Sequence, residues 1–249
     1  MRYGDCPSGK SVSVNHLLVL AGGFGTRLRS VVSDVPKPLA PVMGQPYLYY
    51  MMGNWRAQGI TRFTFLLHHQ AELMKGFLQS LQETEDYSGC HITCLVELQP
   101  LGTGGAIAYA VRELQLSGAF LTANADTWLG HGISQISAVT APALAMVHVA
   151  DSERYGRVMA EKGRVLCFEE KQAGTKPGWI NAGLYHLQAG LFANWGGQPF
   201  SLERDLFPKL VINGELSAVS LDTEFIDIGI PADYFRFCRW VESGKVGAP

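Results

Sequence analysis

Gly22, Gly23 and Gly25 crowd a short turn that runs into Thr26-Arg27, and Lys37 follows between Pro36 and Pro38. A glycine-rich turn lets backbone N–H groups approach a ligand with no Cβ in the way. Arg27 adds a forked, permanently charged donor and Lys37 a mobile point charge, both suited to phosphate oxygens. The chemistry implied is the holding of a nucleoside triphosphate. Farther along stand two carboxylates in apolar company. Asp126 lies in Asn124-Ala125-Asp126-Thr127 after the run Phe120–Ala123, and Asp227 lies between Ile226 and Ile228. An unpaired carboxylate is costly in such surroundings. A shared cation would resolve the cost; a helix cap for Asp126 and an arginine partner for Asp227 are the structural alternatives.

Two familiar phosphate loops do not fit. Gly23-Phe24-Gly25-Thr26-Arg27-Leu28 carries the first two glycines of the dinucleotide fingerprint, but Leu28 stands where the third should be. The Walker A pattern also fails, because no Gly-Lys-Ser/Thr closes the turn. What the residues do resemble is the signature of the sugar-1-phosphate nucleotidyltransferases: Leu20-Ala21-Gly22-Gly23-Phe24-Gly25-Thr26-Arg27-Leu28 with Pro36-Lys37-Pro38 downstream. The resemblance extends from about Asn15 to Arg239. Within that family the chain is most similar to the group that makes GDP-heptose from D-glycero-D-manno-heptose 1-phosphate. The stretches that carry it are Leu28 to Pro38, Pro100-Leu101-Gly102-Thr103-Gly104-Gly105-Ala106 and Phe225-Ile226-Asp227-Ile228-Gly229-Ile230-Pro231.

The reaction implied is attack by a sugar phosphate oxygen on the α-phosphorus of GTP, expelling pyrophosphate. A phosphate monoester has its second pKa near ~6, so the nucleophile is ionised at neutral pH without a general base. Positioning and electrostatics must carry the catalysis. The resemblance therefore casts Arg27, Lys37, Asp126, Lys171 and Asp227 as catalytic, with Asp126 and Asp227 holding Mg2+. It places the nucleotide against Leu20, Ala21, Gly22, Gly23, Gly25, Thr26, Arg27, Lys37, Glu97, Gly102 and Thr103. Gly156, Glu170, Lys171 and Asn181 match the sugar-phosphate side. Guanine presents N1–H and N2–H2 as adjacent donors that one carboxylate can accept, so Glu97 could select the base; a structural glutamate is the alternative. The helix opening near Thr103 could aim its amides at the nucleotide. Two positions depart from the family pattern: Ala125, where glycine is expected, and Gln99, where glutamate is common. The extra methyl of Ala125 could crowd the ligand. Mannose 1-phosphate with GTP, another hexose 1-phosphate with UTP, dTTP or CTP, and a non-catalytic nucleotide-sugar sensor are the rival readings.

Composition narrows the classes. The chain has 249 residues, 47% of them hydrophobic and 17% charged, with a net charge of −2. That suits one domain with a substantial core and gives no electrostatic reason to invoke a nucleic acid or an anionic membrane. No apolar run approaches the ~20 residues that span a bilayer. The five cysteines are odd in number and unpatterned; Cys90 and Cys94 lack a second pair for a metal site, and reduced cytoplasmic thiols fit better. His68, His69 and Glu72 lack a third ligand in the same way. A monomer or homodimer is expected.

The elements that must position these residues alternate. Apolar runs at Leu17–Leu20, Phe63–Leu67, Ile92–Val96, Phe120–Ala123 and Leu144–Val149 read as strands, with helices at Pro46–Gln58, Ala71–Leu81, Thr103–Leu114 and near His131–Val139. This predicts an α/β fold, a Rossmann-like, mostly parallel sheet flanked by helices as in the nucleotide-diphospho-sugar transferase fold. Tyr155–Ala160 and Arg164–Glu169 read as a hairpin and Trp179–Leu187 as a strand, giving a small β-rich sugar-binding lobe. Ser201–Leu210 and Pro231–Val241 read as helices. Residues 1–13 read as a flexible leader. Residues 14–249 form a single domain, with a nucleotide half to about 150 and a sugar-side half from 151.

Overall fold

The structure, a computed structural model, describes residues 15–28, 30–169 and 176–247 of the chain. Residues 1–13, Glu170 and Lys171 lie outside the described residues, as do the expectations attached to them. The chain enters through strand β1 (His16–Leu20), passes the glycine turn, and forms the short antiparallel pair β2 (Pro41–Val42) and β3 (Gln45–Pro46). Helix α1 (Tyr47–Ala57), strand β4 (Arg62–Leu67), helix α2 (Ala71–Gln82), strand β5 (His91–Val96) and helix α3 (Gly102–Glu113) follow. Then come β6 (Ala119–Asn124), β7 (Thr127–Leu129), the short α4 (Ile133–Ser137) and β8 (Ala143–Val149). The second half supplies β9 (Arg157–Glu161), β10 (Arg164–Glu169) and the long β11 (Gly178–Gln188). A π-helical turn (Leu202–Leu206) leads into α5 (Phe207–Ile212), β12 (Ser217–Leu221), β13 (Phe225–Asp227) and α6 (Pro231–Glu242).

Nine of the described strands make one sheet in the order β5-β4-β1-β6-β11-β8-β12-β10-β9. The parallel pattern holds across β5, β4, β1 and β6. Beyond β6 the sheet is mixed, because β11 runs antiparallel between β6 and β8 while β8 and β12 pair in parallel. The hairpin β9-β10 sits at the far edge and also touches β11 through Ile180 and Arg157. The β-rich second half is thus continuous with the nucleotide half: its strands extend the same sheet and share its cores. Length explains β11. Its 11 residues reach from the edge hairpin back to β6.

Alternation along each strand divides the core into two layers. Leu17 and Val19, Phe63, Phe65 and Leu67, and Ala143, Ala145 and Val147 face α1, α2, α4 and α6. Leu18, Leu66, Leu144 and Met146 face α3 and α5. Such strands, buried on both faces, read as unbroken apolar runs. The expected helix over Ser201–Leu210 is replaced by the π-helical turn and the shorter α5, since Pro208 lacks the N–H of a regular helix interior. Five short strands, β2, β3, β7, β12 and β13, were not expected; β7 and β13 have three residues each, too few for periodicity to show.

Two stability expectations follow from this packing. Phe207 is fully buried in the second layer, its ring centroid 5.3 Å from that of Tyr185 and 6.2 Å from that of Phe168. Phe207→Ala should cost about 3–5 kcal/mol, read as a lower urea midpoint at unchanged slope. Burial, aided by the Arg62 charge, lowers His16 from its ordinary 6.5 to about 4, and its Nε2 lies 2.9 Å from the Thr64 hydroxyl. The unfolded chain then binds more protons than the folded one between those values, so stability falls as pH drops from 6.5 toward 4. His16→Gln should flatten that fall in urea titrations across the same window.

Candidate functional site

The glycine turn lies at the carboxyl end of β1, where open α/β sheets gather ligands. Two adjoining cavities share Leu20, Gly23 and Asp126 in their walls. One, of about 210 Å3, is bounded by Gly25, Arg27, Lys37, Ala125 and Gly229. The other, of about 340 Å3, is bounded by Phe24, Leu66, Glu97, Pro100, Gly102, Thr103 and Asn124. The first is built for charge and the second for a flat, largely apolar body with a buried acceptor.

The charged cavity rests on one triad. The Lys37 ammonium donates to Asp126 Oδ2 at 2.6 Å and to Asp227 Oδ1 at 3.3 Å, and its side chain is 10% exposed. The two aspartates are a hundred residues apart in sequence and meet because β7 and β13 pair, with Asp227 opposite Thr127. Ile228 N–H donates to the Asp126 carbonyl at 3.0 Å, and Gly229 N–H to Asp227 Oδ1 at 2.7 Å. Asp126 therefore occupies a strand-to-strand turn, and the helix-cap alternative falls away. A Cβ added at Gly229 would come within 2.8 Å of Asp227 Oδ1 and 3.2 Å of Arg27 Nη2, which places the exposed Arg27 guanidinium beside the same carboxylate. Gly25 takes φ +58°, and an added Cβ would lie 3.1 Å from that of Lys37. Glycine there lets the turn close over the lysine.

The backbone of the loop is partly committed to the fold. Ala21 N–H donates to the Leu66 carbonyl and Ala125 N–H to the Leu20 carbonyl, both at 3.0 Å. Gly22 packs against His68, whereas a Cβ at Gly23 would meet no protein atom within 4 Å. Gly23 is accordingly the open floor shared by the two cavities. Ala125 is buried in the first core layer and also forms part of the wall of the charged cavity.

Glu97 is 8% exposed, and burial raises its carboxyl above the usual range, opposed by the Leu101 N–H that donates to Oε2 at 2.9 Å. His68 Nδ1 lies 3.1 Å from the Glu97 carbonyl; the described residues contain no cluster of three potential metal ligands, and the four described cysteines are free. At the start of α3, whose amides are expected at the nucleotide, two amides are bonded within the fold instead. Gly104 N–H and Gly105 N–H both donate to the Phe200 carbonyl, at 3.0 and 3.2 Å, and the Thr103 hydroxyl donates to Glu203 Oε2 at 2.8 Å. These helix-terminal donors are satisfied from within. The glycines of this loop admit Phe200: a Cβ at Gly102 would lie 2.6 Å from its carbonyl oxygen, and one at Gly104 2.2 Å from its ring.

Asn181 sits where the register of β11 shifts. Its Nδ2 donates to the Tyr185 hydroxyl at 3.0 Å, and its Oδ1 accepts from Gly183 N–H at 3.0 Å. Gly183 presses on Asn124: an added Cβ would lie 2.7 Å from Asn124 Nδ2. Gly156 precedes β9 and is held toward β13 by its neighbour Tyr155, whose ring meets that of Phe225 edge-on at 5.7 Å. Arg154 donates to the Tyr155 hydroxyl at 2.7 Å and pairs with the buried Asp233 of α6. Sequence reading missed Asn124, Tyr185, Phe200, Glu203 and Gly229. Only Glu203, an acid between Leu202 and Leu206, carried a signal that could have found it.

The chain resembles known proteins over most of its length. A family model described as nucleotidyl transferase matches residues 16–243. The chain is 34% identical over 226 residues to the D-glycero-alpha-D-manno-heptose 1-phosphate guanylyltransferase of Campylobacter jejuni, covering 88% of this chain and 97% of that one. It is 34% identical over 223 residues to the enzyme of the same name from Aneurinibacillus thermoaerophilus, covering 87% and 94%. The crystal structure of HddC from Yersinia pseudotuberculosis complexed with GMP-PN superposes with a TM-score of 0.79 at 32% identity, over 90% of this chain and 98% of that one. Among the described residues no helix is long and apolar enough to cross a membrane.

Gly25→Ala should cost roughly 1–2 kcal/mol by forcing a side chain into left-handed backbone, and should displace Lys37. Calorimetry is expected to show at least about fivefold weaker nucleoside triphosphate binding, because the misplaced ammonium loses its charge-assisted contacts. Gly44→Ala, with similar φ but no neighbour within 4 Å, should leave that affinity unchanged.

Proposed function

The chain belongs to the nucleotidyl transferase family, and from that premise we propose that it joins GTP to D-glycero-α-D-manno-heptose 1-phosphate, giving GDP-heptose and pyrophosphate. The observation that carries the reading is the pair of cavities meeting at Asp126, one lined by Arg27 and Lys37 and the other by Glu97. The relatives named for this reaction and the guanine-nucleotide complex of HddC support the choice of substrates.

The triphosphate belongs in the charged cavity, with Arg27 and Lys37 neutralising its oxygens as charge passes to the leaving pyrophosphate. The base belongs in the larger cavity. A carboxylate offers about four acceptor positions; Leu101 takes one on Glu97, and the donor edge of guanine suits the rest. The incoming sugar phosphate is already ionised, so no residue need remove a proton. The chain's task is to hold the two anions in line at the reacting phosphorus. Asn181 and Gly156 line its approach, with Glu170 and Lys171 assigned to the sugar hydroxyl and phosphate.

Asp126 and Asp227 suit Mg2+ by their chemistry, since two carboxylates already converge on a cation, the Lys37 ammonium. Oxygen donors in that number, completed by phosphates and water, match the ion's preference. When bound, Mg2+ supplies neutralisation of phosphate charge beyond what the side chains offer. We place the protein in the cytoplasm, as a monomer or homodimer with no nucleic-acid or membrane partner, its product feeding capsule or lipopolysaccharide synthesis.

Pyrophosphate release across GTP, UTP, dTTP, CTP and ATP against heptose, mannose, glucose and N-acetylglucosamine 1-phosphates, with and without Mg2+, tests the reading. Turnover should be confined to GTP with the heptose and should require the metal. Preference for mannose 1-phosphate would replace the sugar and keep the mechanism; silence throughout would sink the catalytic reading. Asp126→Asn and Asp227→Asn should each lower kcat by about a hundredfold or more at little change in thermal midpoint, and an unchanged rate would remove that residue from the proposed metal site.

A further inference from the structure

The π-helical turn Leu202–Leu206 carries Glu203, which joins Thr103 at the start of α3 to Tyr185 of β11. Such turns recur at functional sites because they re-aim one side chain at the expense of regular bonding. Glu203 Oε2 accepts from the Thr103 and Ser201 hydroxyls, each at 2.8 Å, and Oε1 accepts from the Tyr185 hydroxyl at 3.3 Å. Thr103 lines the larger cavity; Tyr185 carries Asn181 on the sugar side. One carboxylate therefore joins a wall of each substrate's space.

We infer that Glu203 is a positioning residue that sets the direction of every hydrogen bond from Thr103 to Asn181. An ionised carboxylate can only accept, so all three hydroxyls must point their protons at it. The Tyr185 oxygen is thereby left to accept, and it takes an N–H of Asn181. Asn181 is fixed in turn: its oxygen faces Gly183 N–H, and its remaining N–H is the donor a sugar phosphate or hydroxyl oxygen would meet. On the nucleotide side the Thr103 oxygen accepts from Leu202 N–H at 2.9 Å, which ties the start of α3 to the π-helical turn. Tyr185 is buried, and its hydroxyl is held well above its ordinary pKa by that burial and then by the Glu203 charge, so the relay keeps its proton throughout the neutral range.

The inference rests on Asn181 meeting the sugar phosphate, and three variants separate the two claims. Asn181→Ala should raise the KM for the sugar 1-phosphate. Tyr185→Phe deletes the relay. Glu203→Gln offers Thr103 and Ser201 an oxygen but presents Tyr185 with a donor, leaving that hydroxyl proton without its acceptor. Both Tyr185→Phe and Glu203→Gln should raise the sugar 1-phosphate KM about three- to tenfold, the worth of one misdirected hydrogen bond. The KM for GTP should stay within about twofold in both. Glu203→Ala, which also frees Thr103, should raise both constants. In Tyr185→Phe and Glu203→Gln a purely structural role would move the two constants together with the thermal midpoint, and that result in these two variants overturns the inference. Unchanged sugar KM in Tyr185→Phe and Glu203→Gln, with a raised value in Asn181→Ala, overturns the relay alone. Unchanged KM in Asn181→Ala overturns both the relay and the sugar-side placement, while pyrophosphate release by the unaltered chain would still uphold the transfer reaction.

Discussion

Three charges held together at the carboxyl end of the sheet constrain everything else in this protein. Lys37 is nearly buried between Asp126 and Asp227, and a charge so placed is tolerable only if its partners are held firmly. Each partner comes from a different region: the loop after β1, the turn after β6, and the end of β13. The pairing of β7 with β13 fixes the two carboxylates relative to each other, and the contact of Gly25 with Lys37 fixes the lysine relative to the turn. Remove any one of these and the other charges lose compensation. The arrangement is costly to build, and it leaves one ammonium and two carboxylates oriented at a single point of the cleft.

The larger cavity obeys a different rule, close packing. The glycines of the loop Pro100 to Gly105 make room for the segment around Phe200. That segment caps the first amides of α3 and lays its ring where Gly104 has no side chain. The cap brings Ser201 and Glu203 up against Thr103, so that wall of the larger cavity is buttressed from the second half of the chain. This is why the β-rich half belongs to the same body as the nucleotide half: β11 inserts between β6 and β8, and the hairpin β9-β10 buries Val158 and Val165 in a core shared with α3 and α5.

Much of the fold was legible because its signals are local. Runs such as Leu17–Leu20 and Leu144–Val149 are unbroken because both faces of the strands are covered, and Ala71–Gln82 shows its apolar stripe at helical spacing. The glycine turn, Lys37 and both aspartates were legible as candidates from residue type and setting, and the fold brings them together. β7 and β13 were not, being too short for any periodicity, and neither was the insertion of β11, since nothing within a strand says which neighbour it will choose. Tyr185 and Glu203 were missed for a related reason: each is an ordinary residue whose hydrogen bonds reach a distant segment.

By itself the sequence determined the chemistry: which groups could neutralise phosphate, which could hold a cation, and that strands and helices would alternate to carry them. These follow from side-chain charge, glycine's missing Cβ and the periods of regular structure, all of which act within a few residues. Tertiary structure alone decided which groups are spent on the fold and which face the cleft. Ala21, Gly104 and Gly105 turned their amides inward, Thr103 gave its proton to Glu203, and Lys37 found both aspartates. A buried polar group must find a partner wherever the folded chain offers one, and that choice is made in space, across a hundred residues at a time.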